Sequence, residues 1–473
     1  MKTIATMIAG MASAMQLGLE AEQTWTKVTV SAPPVECCTT DWLSDDECDA
    51  LQNAIDAAAP YTTLQLEDGV YCNKNYHKAG RNEPHDFKHQ ALAKILTTSH
   101  LKIEPLDADT RPLLKISGWS GIQIKNVEDI TVKGLEIAGP ALDIDGEQAS
   151  AEHTRLTGRD DKWACGQNTS KSACNSASEC KWSSMLEYCI GKTWSYYNGK
   201  GIEMNSVENV TIRDNIVHHT TSSGIRCDKC NDVTIAQNLV YGTVWWTTTG
   251  ASAIVFAEAQ GTGTNSINSN VVYGNRNCLP FFLTQDLAHF GAGVENYGEY
   301  NQPRIVDGSG VYITRNLDFE GTFNLKNNIA YDNGINGVVV HKTTNENVTV
   351  NVTNNRVFDN GVTTKESENE GRQDAGGLTI NAGHEVSNVL LKNNKVTAEQ
   401  DGDKTYQCFG ECNLTAGSGN NYACGGAPST KLGNGGWKDS DEECASQKEM
   451  NDSIRDSYPE SYVPRGTQFT PWL

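Results

Sequence analysis

The chain has 473 residues with 38 basic and 59 acidic side chains, a formal charge of −21. That length suits one long solenoid or two to three ordinary domains, and the acidity argues against duplex nucleic acid or anionic membrane as partners. A polyanionic ligand would need a locally basic cleft.

Lys2 is followed by an apolar run from Ile4 to Ala14, and Ala12, Ser13 and Ala14 supply a small-residue cleavage site. Residues 1–21 are therefore expected to be a signal peptide. Cysteine usage agrees with export. Of 15 cysteines, most fall in clusters at Cys37, Cys38, Cys48 and Cys72, at Cys165, Cys174, Cys180 and Cys189, and at Cys408, Cys412, Cys424 and Cys444. These lie in polar or Gly-rich stretches, the usual place for disulfides in an oxidising compartment. The pair Cys227 and Cys230 falls in a predicted strand and turn and reads as core filling. Sequons at Asn168, Asn209, Asn347, Asn351, Asn413 and Asn451 fit a secreted glycoprotein.

Residues 22–120 are expected to hold an N-terminal cap and the first coils. Ser44 to Glu47 followed by DALQNAIDAAAP predicts an N-capped amphipathic helix ending at Pro60. Such a helix would cover the open end of a solenoid.

From 121 to 398 the chain repeats in two registers. Asparagines open NIVH at Asn215, NLVY at Asn238, NVVY at Asn270, NIAY at Asn328 and NRVF at Asn355, with a weaker copy at Asn394. Small residues open alternating strands at Gly121, Gly201, Gly224, Ala253, Gly310, Gly337 and Gly377, and a further strand is expected at Leu279. Period-two alternation turns one column inward from Ile122 through Ile202, Ile225, Ile254, Val311 and Val338 to Leu378. A second inward column runs from Ile124 through Met204, Cys227, Phe256, Ile313 and Val340 to Ile380. No coil can bury that face alone, but stacked coils bury a continuous column. The asparagines are placed to form a ladder. His218, Tyr241, Tyr273, Tyr331 and Phe358 are placed to stack as rings. A cysteine-rich insertion, about 158–193, interrupts the repeat, and 399–473 reads as a disulfide-containing tail.

The fold expected is an all-β right-handed parallel β-helix with a capping helix and the cysteine-rich insertion. The helix, the strand and turn LEDGVY and the Asn-turn coils resemble the pectin-lyase-like β-helix superfamily over roughly residues 51–396. Many members of that superfamily cleave acidic polysaccharides, so the resemblance implies carbohydrate chemistry. The sequence departs from its best-known branches, for it lacks the N-T-D, G-H-G and R-I-K elements of polygalacturonases and the D-P-H element of alginate epimerases.

The outward side of the same strands is where a polymer would lie. β-Elimination of a uronate requires neutralisation of the carboxylate, removal of the C5 proton and protonation of the leaving oxygen. Lys229 or His341 is the expected base, with Arg226, Arg315 or Lys342 gripping carboxylates. Asn205, Asp228 and Glu258, from consecutive coils, are candidate ligands of a calcium ion. Arg276 and Asp307 are candidate substrate contacts, and Trp245, Trp246 and Phe281 are candidates for a sugar-stacking platform. Each has a bland alternative: Asp228 with Lys229 as a solvated pair, Asp307 as a turn residue, the aromatics as core cover. The expected function is a secreted lyase on a uronate-containing polysaccharide, acting as a monomer without nucleic-acid or membrane partners. A glycoside hydrolase using Asp228 with Glu258, or a non-catalytic glycan-binding surface protein, is the alternative.

Overall fold

The structure is a computed structural model. It describes residues 24–38, 45–72, 91–116, 120–142, 168–177, 180–183, 188–191, 199–245, 251–276, 308–343, 345–361, 376–381, 388–397, 404–409, 414–416, 421–423 and 441–458. Alternating strands with short polar corners cannot bury themselves singly, and here they wind into three parallel sheets of eleven, nine and ten strands. In each coil the chain runs through sheet II, then I, then III, as in Lys200–Asn205, Glu208–Arg213 and Ile216–His218. The next coil, Ile225–Asp228, Asn231–Ala236 and Leu239–Tyr241, pairs with it in register.

Both predicted inward columns are buried, with Ile122, Ile202, Met204, Cys227, Phe256 and Ile313 fully shielded. Coils pair beyond residue 398, through Lys404–Phe409, Leu414–Ala416 and Asn421–Ala423, so the solenoid runs on into the segment read as a tail. The strand expected at Leu279 lies outside the described residues.

Two corners recur in fixed conformation. Between sheets II and I, Asn126, Ser206, Lys229, Glu258, Arg315 and Lys342 all take a left-handed backbone, with φ from 47° to 57°. Non-glycine residues adopt this at a cost of about 1 kcal/mol each, so a repeated corner geometry is being imposed by the coils. Between sheets I and III the asparagine ladder forms as expected: each Nδ2 of Asn215, Asn238, Asn270, Asn328 and Asn355 donates to the next Oδ1 at 3.0–3.1 Å. A second buried ladder, Asn275 to Asn333 to Asn360, lines the corner after sheet III.

The rings stack along the outer side of sheet III. His218, Tyr241, Tyr273, Tyr331 and Phe358 follow one another at centroid distances of 4.8–5.2 Å, with planes within 9°. The C-terminal helix Asp441–Asp456 lies against this stack, with Ile454 and Tyr458 packed on it. Arg455 bridges Asp332 at 3.1 Å and the buried Asp359. Arg455→Ala strands Asp359 without its cation, and is expected to lower protection of the helix by about 1–2 kcal/mol in hydrogen exchange while leaving the coils unchanged. Asn451 is 2% exposed and accepts from Arg356, which leaves no room for a glycan at that sequon.

The helix Ala50–Ala57 caps the other end. It buries Leu51 and Ile55, and Asp49 precedes it without a side-chain capping bond. Sheet II ends at Ala91–Ile95, whose outer edge would offer unpaired backbone groups. Gln52 on the cap helix closes one pair of them, accepting from the Lys94 N–H at 2.7 Å and donating to its carbonyl at 3.2 Å.

Disulfides join Cys37 to Cys48, Cys38 to Cys72, Cys174 to Cys189 and Cys227 to Cys230. The last corrects the expectation of thiols as simple core filling. Both cysteines face inward, and the corner brings their Cα atoms to 5.9 Å. Within the cysteine-rich insertion, Cys180–Ser183 pairs antiparallel with Tyr188–Gly191 beside the short helix Lys171–Ser176.

Candidate functional site

Register fixes which side chains share the outer face of sheet II. Gln123, Glu203, Arg226, Val255, Tyr312, Val339 and Thr379 stand in one column. Lys125, Asn205, Asp228, Ala257, Thr314 and His341 stand in the next. The corner residues follow immediately. Polar groups on this face fall into two separate groups, divided by the coil Ser252–Ala257, whose Val255 and Ala257 are fully buried.

The first group is a charge network. Lys200 Nζ donates to Glu203 at 2.7 Å, and Glu203 also accepts from Ser120 at 2.7 Å and Gln123 at 3.1 Å. Burial alone would raise the Glu203 carboxyl, but the Lys200 ammonium and these hydrogen bonds hold it below its ordinary value. On the next coil Arg226 grips both oxygens of Asp228, at 2.7 and 2.9 Å. Two cations and two carboxylates thus neutralise one another, as buried charges must. Sequence reasoning missed Lys200. Strict alternation from the inward Ile202 places it inside, whereas at the first position of the strand, before Gly201, it turns onto Glu203.

The metal candidates fare accordingly. Asn205 and Asp228 are direct neighbours on adjacent strands, and Glu258 lies one position further, in the left-handed corner. Asp228 is committed to Arg226, and Glu258 faces Arg315 at 3.6 Å. A hard cation needs those oxygens, so it would have to displace the Arg226 grip on Asp228 and the Arg315 contact with Glu258. Among the described residues, the one group of three His, Cys, Asp or Glu side chains with ligand atoms within 4.8 Å of one another is His100, Glu128 and Asp129, at a different corner.

The second group surrounds His341. Its Nδ1 lies 2.7 Å from the Tyr312 hydroxyl and 3.0 Å from that of Thr314, both on the preceding coil. Alternation from the inward Val311 turns Tyr312 outward but gives it no role. Burial lowers the imidazole to a pKa of about 4, helped by the positive charges of Lys342 and Arg315. At neutral pH it is therefore an uncharged ring with lone-pair capacity. Arg315 sits on the same corner, its backbone N–H donating to the His341 carbonyl at 3.2 Å, and exposed Lys342 follows one coil later.

The remaining sequence-picked residues divide clearly. Lys229 is exposed at the corner three rungs from Lys342, roughly 14 Å away along the axis. Arg276 is half-buried where sheet III returns toward sheet II, directly after the ladder residue Asn275. Trp245 is 1% exposed, so it is core cover and not a sugar platform. It curls under the turn after left-handed Gly242, where its backbone N–H donates to Thr220. Trp246, Phe281 and Asp307 lie outside the described residues.

Comparison with known proteins adds the following. The family model described as periplasmic copper-binding protein (NosD) matches residues 109–286, less than half of the chain. No curated protein matches the sequence. Among solved structures, the A-module of the mannuronan C-5 epimerase AlgE4 from Azotobacter vinelandii is similar at 15% identity and a TM-score of 0.42, covering 81% of this chain and 85% of that one. Pectate lyase Pel9A is similar at 12% identity and a TM-score of 0.42, covering 88% and 79%. An alginate lyase from Paenibacillus sp. str. FPU-7 is similar at 10% identity and a TM-score of 0.44, covering 88% and 98%. The strand pairing defines this chain as a parallel β-helix.

Proposed function

We propose that this chain is an exported, monomeric polysaccharide lyase that binds a uronate-containing polymer along the outer corner of sheet II and cleaves it by β-elimination. One observation carries this: a neutral imidazole on the outer face, held by hydroxyls and set between the cations Arg315 and Lys342. Elimination begins with removal of a weakly acidic C5 proton, which becomes feasible when cations take up charge on the adjacent carboxylate. His341 is the base, and Arg315 and Lys342 grip the carboxylate. Their basic corner is the local exception that an acidic chain needs for a polyanion. The disulfides among the described residues fit an oxidising compartment, and no described helix is long and apolar enough to cross a membrane.

Hydrolysis gains no support from the same face. It requires two carboxyl groups able to exchange protons with substrate, whereas Asp228 has both oxygens held by Arg226. The decisive measurement is a panel of polygalacturonate, alginate, glucuronan and a neutral glycan, followed by ultraviolet absorbance and reducing ends together. Absorbing unsaturated ends from a polyuronate support a lyase. New reducing ends without absorbance would mean hydrolysis, and binding without either would leave a recognition protein. Because Asp228, the neighbour of Asn205, is already gripped by Arg226, wild-type turnover is expected to change less than about twofold on adding chelator. A large loss, restored by calcium, would overturn that placement of charge.

A further inference from the structure

Elimination must also deliver a proton to the departing glycosidic oxygen, and His341, Arg315 and Lys342 leave that task unfilled. We propose that the Tyr312 hydroxyl is this donor, making Tyr312 and His341 an acid–base pair across one glycosidic bond. The proposal rests on the eliminative function above and assigns a further catalytic residue to it.

The two side chains are close enough to exchange a proton. Tyr312 Oη is 2.7 Å from His341 Nδ1, and the rings lie 5.8 Å apart with planes 16° from parallel. In its own column the phenol stands between Val255 and Val339, which are 0% and 4% exposed. Its side chain is therefore flanked by apolar walls, and its hydroxyl lies within hydrogen-bond distance of the His341 ring. The hydroxyl and the imidazole come from adjacent coils.

The step balances without a co-reactant. His341 starts with its hydrogen on Nδ1, directed at the Tyr312 oxygen, so Nε2 offers its lone pair. Nε2 takes the C5 proton, and the C5–H electron pair becomes the C4–C5 double bond. The C4–O4 bond breaks with its electrons on O4, which takes the Tyr312 proton. The Nδ1 hydrogen then passes to the phenolate. Both side chains end neutral, with the histidine in its other tautomer, and exchange with water resets it. A relay that never carries net charge suits a half-buried site beside two cations.

The test compares wild type, Tyr312→Phe and His341→Ala on polygalacturonate and alginate, and on methyl uronosides carrying a 4-O-nitrophenyl leaving group. Y312F keeps the ring and the fold, which a thermal melt verifies. On polymer its kcat is expected to fall about 100-fold or more with KM little changed. On the nitrophenyl substrate, whose leaving oxygen needs no proton, Y312F is expected to approach wild type while H341A stays impaired. Polymer turnover by Y312F within about threefold of wild type would remove Tyr312 as donor while elimination stands. An equal loss on both substrates would make it a positioning residue. If wild type forms no unsaturated product, the eliminative function and this proposal fall together.

Discussion

Asn270→Ala is expected to lower the unfolding free energy by about 3 kcal/mol. The Asn270 side chain accepts from the backbone and side-chain N–H groups of Asn238 and donates to the Ile235 carbonyl and to Asn328. All of this is shielded from water, so alanine leaves both neighbours and a carbonyl without their bonds. The position is also mid-ladder, and in a stacked repeat a weak rung lets the two halves unfold separately. Denaturant melts should show both a lower midpoint and a broader transition. Asn324→Ala, which removes one half-buried bond from Asn351, is the matched control and should cost less than about 1 kcal/mol. Equal costs for the two would mean that the ladder is not what holds the coils in register.

His341→Ala should reduce kcat on the cleaved polyuronate by about 100- to 10,000-fold, the range of general-base removal. The pH dependence follows from the depressed pKa of about 4. A base is active when unprotonated, so the folded enzyme retains its imidazole base down through pH 5 and loses it as pH falls through about 4. A histidine with its ordinary pKa near 6.5 would instead lose activity across pH 7 to 6. The acid limb of the kcat/KM profile in unbound enzyme therefore identifies the group. Lys342→Met and Arg315→Met should each move that limb toward higher pH, because the positive charges beside His341 help to hold its pKa down.

The coil architecture was legible because two signals with different periods advance together. The glycine-opened frames at Gly121, Gly201 and Gly224 fix the alternation, and the asparagines fix the corner. The second asparagine ladder was equally visible in principle. Asn275, Asn333 and Asn360 each stand two residues after a stacked ring, in YGN, YDN and FDN. The site was legible to the extent that register alone decides it, which is why His341, Arg315 and Lys342 come together. It failed where local geometry overrides alternation. Lys200 reverses its face at a glycine, Trp245 is drawn under a turn, and Arg226 reaches along its own strand to claim Asp228. Sequence shows that charges are adjacent, but not which of them have already satisfied one another.

The left-handed corner between sheets II and I has a consequence for how such a molecule can change. Ser206, Lys229, Glu258, Arg315 and Lys342 share one backbone shape while differing completely in charge. Their side chains project away from the packed interior, so the fold accepts a serine, a glutamate or an arginine there with equal indifference. The corner thus works like a row of sockets at ~4.8 Å intervals. Ligand preference can be rewritten one socket at a time, to follow a polymer with a different spacing or density of acidic groups, and no buried contact need be redesigned.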